Sequence, residues 1–212
     1  MDIISELNGK RILIWGYGRE GKATEHFLQR CVKPASVDIF EGKKEEIDED
    51  DYDFIIKSPG IVMNEENPKY TSETELFLQQ FRDQVIGITG TKGKSTTSAM
   101  LYTVLKACSS RPVLLLGNIG QPCLDYFEEV TEDTIIVYEM SCHQLAHTNV
   151  SPHIAIFLNL YEEHLDYYGT VEKYFEAKSH IAAYQKSGDY FFVGENVPQI
   201  CLLYTSPSPR DA

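Results

Sequence analysis

Gly87-Ile88-Thr89-Gly90-Thr91-Lys92-Gly93-Lys94-Ser95-Thr96-Thr97 decides how this chain is read. The apolar pair Val85-Ile86 precedes it, and Ala99, Met100, Leu101, Val104 and Leu105 follow at helical spacing. A strand, a glycine-rich turn and a helix start, in that order, make a phosphate cradle. Backbone N–H groups at the helix N-terminus point at the anion, and the helix dipole adds positive potential. Gly90, Thr91, Lys92, Gly93, Lys94, Ser95 and Thr96 are therefore the expected nucleotide contacts. Lys94 can reach terminal phosphates as a point charge, and Ser95 offers a hydroxyl to Mg²⁺. The strict spacing G-x-x-x-x-G-K-[ST] is not met: Ile88 stands where the first glycine belongs, and Gly87 comes one residue early. The plainer alternative is a glycine-rich turn that holds no ligand.

Three more apolar runs lie beyond this turn: Val113–Leu116, Thr134–Tyr138 and Ile154–Leu158. Each ends at a polar or glycine cluster, namely Gly117-Asn118-Ile119-Gly120, Glu139-Met140-Ser141 and Asn159-Leu160. Strands alternating with helical patterns imply a parallel sheet, and ligands of such sheets gather at the carboxyl ends of strands. A P-loop-type α/β domain is expected over residues 84–200.

Upstream, Arg11–Trp15 reads as a buried strand followed by Gly16-Tyr17-Gly18-Arg19-Glu20-Gly21, then a helix carrying Ala23, Phe27 and Leu28. Val37–Phe40 and Phe54–Ile56 are further strands, the latter ending at Lys57-Ser58-Pro59-Gly60. Residues 1–83 thus form an expected Rossmann-like domain. The pattern Gly16-x-Gly18-x-x-Gly21, with Asp38 or Glu41 near the ribose-reading distance, suits a diphosphate at a helix N-terminus. It does not specify nicotinamide, and a tight turn without ligand is the alternative.

Composition narrows the field. Hydrophobic residues make up 42% of the 212, enough for a core, and the formal net charge is −13. That charge excludes a nucleic-acid partner held on a basic face. No apolar stretch approaches the length of a membrane span, and Met1–Lys10 lacks the apolar run of a signal peptide. Five irregularly spaced cysteines, with no C-x-x-C pair, suggest neither a disulfide frame nor a zinc site and fit a reducing cytoplasm. The seven carboxylates between Glu45 and Asp53 read as a solvated face.

Three residues outside the glycine turns carry chemical promise. Glu139 follows an apolar strand, where a second Mg²⁺ ligand belongs beside a phosphate cradle; a water-facing loop carboxylate is the alternative. His164, within Glu162-Glu163-His164-Leu165-Asp166, is a potential imidazole metal ligand at a strand's carboxyl end. His26, His147, His153 and His180 lack such a context. Lys178 shares a helical stripe with Val171, Tyr174, Phe175, Ile181 and Ala182. An amine there must snorkel, pair, or lose its charge. Snorkelling is the simple expectation; a neutral amine that adds CO₂ to become an anionic metal ligand is the other.

Taken together the motifs resemble the Mur ligases. They are Gly16–Gly21, Ser58-Pro59-Gly60-Ile61, Gly87–Thr96, Gly117–Gly120, Glu139–Leu145, Asn159–Asp166 and Glu176-Ala177-Lys178, spread over about residues 5–200. Their order and spacing are more specific than either glycine loop alone. Cys142 and His143 stand where other members often carry Ser and Phe or His. The resemblance points to the branch that adds D-glutamate to UDP-N-acetylmuramoyl-L-alanine. It implies an ATP- and Mg²⁺-dependent ligase acting through an acyl phosphate. On that basis Gly16, Gly18, Gly21, Ser58, Pro59 and Gly60 hold the UDP moiety, and Asn118, Ser141 and Gln144 contact the muramoyl-alanine arm. Ser95 and Glu139 hold one Mg²⁺, and His164 and carbamylated Lys178 a second. Lys94, His164 and Lys178 are the catalytic set. The implied partners are small-molecule substrates alone, with no nucleic acid or membrane, and a monomer is expected.

Mur ligases carry a third domain that receives the incoming amino acid, and no counterpart of it is expected within these 212 residues. The central domain is expected to stop after Ile200. Residues 201–212, rich in Ser and Pro, break the α/β rhythm and are expected to be a non-native tail. The chain is therefore expected to bind nucleotide without ligating. Two other readings remain: an amide ligase of the folylpolyglutamate synthase kind, and an NAD-dependent oxidoreductase.

Overall fold

The structure is a computed structural model that describes residues 2–61 and 67–197. The expected tail at 201–212 and the expected break after Ile200 lie outside the described residues. In chain order the elements begin with α1 (Ile3–Leu7), β1 (Arg11–Trp15), α2 (Arg19–Cys31), β2 (Ser36–Phe40), β3 (Phe54–Lys57), β4 (Tyr70–Thr71), α3 (Glu73–Phe81) and β5 (Val85–Thr89). They continue with α4 (Lys94–Cys108), β6 (Val113–Gly117), β7 (Ile135–Glu139), α5 (Cys142–Leu145), β8 (Ile154–Phe157), α6 (Leu165–Tyr168), α7 (Val171–Ala183) and β9 (Tyr190–Val193).

These make two α/β domains, each on an all-parallel sheet. The first sheet runs β2-β1-β3-β4 and the second β6-β7-β5-β8-β9. Ile14 sits in register with Ile39 on one side and Ile56 on the other. Ile12, Leu13, Ile14 and Trp15 are all buried, the continuous apolar run of a parallel strand covered on both faces. One cluster of buried side chains passes from Ile12 and Phe27 through Leu76, Phe77 and Phe127 to Tyr138 and Phe157. The two sheets therefore share a core through α2, α3 and the 3₁₀ segment Cys123–Glu129.

Two expectations, on Glu139 and on Lys178, need correction. Glu139 does not follow its strand; it is the last residue of β7, paired with Ile88 and Gly117, and wholly buried. The apolar spacing after Gly93 does make a helix, but that face is not covered: Met100 is 64% and Val104 57% exposed, and Ser98 alone among the residues of α4 is buried. The stripe on α7 is buried at Tyr174, Ile181 and Ala182, and Lys178 goes in with it at 1% exposed. Snorkelling is thereby ruled out, because its ammonium finds a partner inside. The acidic run folds into two 3₁₀ turns, Lys44–Glu46 and Glu49–Asp51, with no buried residue in either.

Candidate functional site

The turn after β5 is shaped by its glycines and clamped from β8. Gly93 takes φ +81°, a left-handed value natural only for glycine, and caps α4 with no side-chain hydrogen bond. The first-turn N–H groups of α4 thus have no side-chain cap, an arrangement that suits an anion. Thr91 N donates to Asn159 O at 3.0 Å, and Lys92 N to Asn159 Oδ1 at 2.9 Å. Asn159 Nδ2 returns a bond to Lys92 O at 2.9 Å. Thr91 Oγ1 accepts from Tyr161 N at 2.9 Å. Lys94 Nζ lies over the same turn, donating to Gly90 O at 3.0 Å and Thr91 O at 3.1 Å. Gly87 plays a different part, because a Cβ there would meet Pro152 Cγ at 2.6 Å. It is a packing glycine within β5, so its offset from the expected position does not disturb the turn.

A cleft of about 530 Å³ opens between the two domains. Gly18, Ser58, Pro59 and Gly60 line it from the first domain; Lys94, Asn118, Ser141, Gln144, His164 and Lys178 line it from the second. Ten residues singled out in the sequence thus share one cavity. Gly16 and Gly21 do not line it. A Cβ on Gly21 would lie 2.2 Å from Gly16 O, and one on Gly16 (φ +90°) 2.7 Å from Ser58 Oγ. Ser58 Oγ donates to Gly16 O at 2.9 Å, locking the two turns together. The fingerprint glycines act by close packing, which lets Gly18 face the cavity. Gly90, Thr91, Lys92, Gly93, Ser95, Thr96 and Glu139 also lie outside the lining. Ser95 and Thr96 stand exposed on the first turn of α4, whereas Thr91 and Glu139 are buried. Asp38 is an exposed residue of β2, away from the lining.

Around the cleft several polar groups are buried. Lys178 Nζ donates to Gly90 O at 2.8 Å and sits 4.8 Å from the centroid of the Tyr174 ring. Burial, with the nearby Lys94 charge against it as well, pulls its pKa down to about 8. His164 holds φ +55°, the one left-handed non-glycine residue among those described, a strained conformation that persists where surrounding contacts impose it. Its ring lies 5.3 Å from that of His143 and 5.9 Å from that of Tyr174. Glu139 Oε1 accepts from Asn118 Nδ2 at 2.9 Å, and its Oε2 is buried without a donor. A carboxylate oxygen kept dry and unpartnered is a group suited to a cation.

Other residues of the site were not anticipated. His143, Tyr167 and Tyr174 form an aromatic wall of the cleft, with His143 and Tyr167 edge to face at 4.3 Å. Burial lowers the pKa of His143 and pushes that of Tyr174 up to about 12. Arg19, Glu20 and Cys142 complete the lining. No spacing rule marks His143 or Tyr167, since α5 and α6 are single turns. Two of the histidines without a site context have structural partners: His153 Nδ1 with Asp189 Oδ1 at 2.8 Å, and His180 Nδ1 with Leu145 O at 3.0 Å.

Two all-parallel domains that meet at a cleft beside a glycine-lysine turn define a two-domain α/β protein with its candidate ligand site between the sheets. Residues 88–203 match the model of the Mur ligase middle domain, and the chain belongs to the Mur ligase family. It is 35% identical over 177 residues to a UDP-N-acetylmuramoylalanine–D-glutamate ligase of Clostridium kluyveri, covering 80% of this chain and 38% of that protein. It is 32% identical over 227 residues to the Streptococcus pyogenes enzyme of the same name, covering 92% of this chain and 50% of that one. The chain thus spans half or less of these two relatives' lengths. Among solved structures, MurF of Acinetobacter baumannii superposes with a TM-score of 0.50 at 23% identity, over 68% of this chain and 36% of that one; this likeness concerns the fold. No helix among the described residues is long and apolar enough to cross a membrane.

Proposed function

We propose that this chain carries the UDP-sugar and ATP sites of a D-glutamate-adding ligase of peptidoglycan precursor synthesis. The observation that carries the reading is the shared cleft: the Gly18 and Ser58-Pro59-Gly60 turns face Lys94, Asn118, His164 and Lys178 across one cavity. The acceptor is UDP-N-acetylmuramoyl-L-alanine, its diphosphate against the N-terminus of α2 and its alanyl arm toward Asn118, Ser141 and Gln144. ATP lies on the turn from Gly90 to Thr96.

A carboxylate is a poor electrophile, so ATP converts it to an acyl phosphate. The amine of D-glutamate then attacks, and phosphate leaves. Bringing a carboxylate to a triphosphate needs charge neutralisation and fixed positions. Lys94 supplies one positive charge, and the Asn159 clamp holds the turn that carries it. The partnerless Glu139 oxygen, and the Lys178 amine whose pKa burial draws down to about 8, fit a divalent ion better than they fit an apolar core. Ser95 and Glu139 would hold one Mg²⁺, and His164 with Lys178, once its free amine has taken up CO₂, a second; bound there, the ions would screen the phosphates.

Titration calorimetry with UDP-N-acetylmuramoyl-L-alanine and with NADH tests this reading. Saturable binding of the UDP-sugar, weakened when Ser58 is replaced by Tyr, is expected. Tight NADH binding in its place would favour an oxidoreductase.

A further inference from the structure

Two carboxyls lie buried together where α2 meets α3, and the ligase chemistry uses neither. Glu20, in the first turn of α2, lines both the main cleft and a smaller cavity of about 180 Å³ behind it. Its Oε1 accepts from Gln144 Nε2 at 2.8 Å, a bond that crosses between the domains. Its Oε2 is buried and has no donor. Glu73, 2% exposed, lines the same small cavity, and its Oε1 accepts from Leu124 N at 2.9 Å. The two carboxyls thus face the same small cavity, and each bears on the ionisation of the other.

An ionised carboxylate only accepts hydrogen bonds. Were both groups ionised, Glu20 Oε2 would stay unpartnered and two like charges would press together out of water. A single proton cures both faults, because the protonated carboxyl becomes a donor to the other.

We propose that Glu20 and Glu73 share one proton, which holds Glu20 in place to orient Gln144 and keeps a second negative charge away from the diphosphate side of the cleft. Burial raises the pKa of both groups, and that of Glu73 well above the ordinary range. The groups facing the pair bear on it in both directions. Arg19 and Lys57 favour the ionised form of Glu20. Asp125 opposes ionisation of Glu73, while Cys123 and Tyr138, pushed far up by burial, stay neutral beside it. Lys57 is itself drawn down to about 8 by burial. One net charge on the pair is what this setting supports.

The second half of the proposal rests on reading the cleft as a diphosphate site, so the test separates the two. Infrared spectra of the ligand-free chain near neutral pH report the carbonyl stretch of a protonated carboxyl. The band is expected in the native chain and lost in Glu73→Gln, where an amide donor replaces the shared proton; identical spectra would overturn the shared proton. UDP-N-acetylglucosamine, whose diphosphate does not titrate near neutrality, is the second probe. Its affinity is expected to fall by up to about tenfold per pH unit as the pair ionises. In Glu73→Gln the change should stay within about twofold across the same range, and Glu20→Gln serves likewise if the first variant does not fold. A flat profile in the native chain would overturn the positioning role. Absence of any UDP-N-acetylglucosamine binding would overturn the diphosphate reading, and the infrared band would still decide the proton.

Discussion

Lys178 Nζ donates to the carbonyl oxygen of Gly90 across 2.8 Å, so that α7 is pinned by a buried amine to the turn that follows β5. The bond joins a helix face to the glycine turn through a charge that has little access to water. Its consequence for stability can be worked out in sign. The pKa of Lys178 falls from 10.5 to about 8 on folding, chiefly by burial. A depressed folded value means a contribution present above 10.5 and lost as the pH falls through about 8. Lys178→Met removes that loss. Its stability relative to the native chain should improve by about 3 kcal/mol between pH 10.5 and pH 7, offset by the missing hydrogen bond. Urea melts across this range check it; parallel curves for the two proteins would refute it.

Gly18 and Gly21 should separate binding from packing. A Cβ on Gly21 meets Gly16 O at 2.2 Å, whereas one on Gly18 meets nothing within 4 Å. Gly21→Ala is expected to cost about 2–3 kcal/mol, and Gly18→Ala less than about 0.5 kcal/mol. Gly18→Ala should nonetheless weaken UDP-sugar binding, because Gly18 lines the cleft. Thermal melts and calorimetry on both variants give the comparison.

His164 offers a trade between stability and function. Its φ of +55° is relaxed by glycine, so His164→Gly should stabilise by about 0.5–1 kcal/mol. The same change should abolish any stabilisation by Mg²⁺ with ATP that depends on the imidazole. A thermal shift with the nucleotide retained in full would remove His164 from the site.

Asn118 satisfies half of a buried carboxylate. Asn118→Ala leaves both Glu139 oxygens without a donor and should cost about 1–3 kcal/mol. Added Mg²⁺ should recover part of that loss if Glu139 is an ion ligand. Equal melting temperatures with and without Mg²⁺, in this variant and in the native chain, would argue against it.

Much of this arrangement was legible in the chain, for reasons that vary by element. β1 and β5 announced themselves as apolar runs closed by glycine turns; parallel order then put Gly18 and Ser58 at adjoining strand ends of one sheet, and Lys94 and Asn118 at the carboxyl end of the other, two strands apart. Lys178 was visible as a charge on an apolar stripe, although its destination was not. A long lysine can equally reach water, and only the depth of α7 beside Gly90 decides that. β4, two residues long, left no periodic trace, and α3 was overlooked although Ser72 and Glu75 carry a helix-start signature. Gly16 and Gly21 matched a ligand motif while serving contact between backbones. The Glu20–Glu73 pair could not be read at all, because it joins helices from separate stretches of chain. Exposed Met100 and Val104 show that helical spacing alone does not tell which face is covered.

The most direct trial is titration calorimetry of the chain with ATP in the presence of Mg²⁺, run alongside Lys94→Ala. The expected result is saturable, Mg²⁺-dependent ATP binding that Lys94→Ala weakens by about tenfold or more, with UDP-sugar binding unaffected by that change. ATP binding indifferent to both Mg²⁺ and Lys94, or no ATP binding at all, would contradict a phosphate cradle between Gly90 and Thr96.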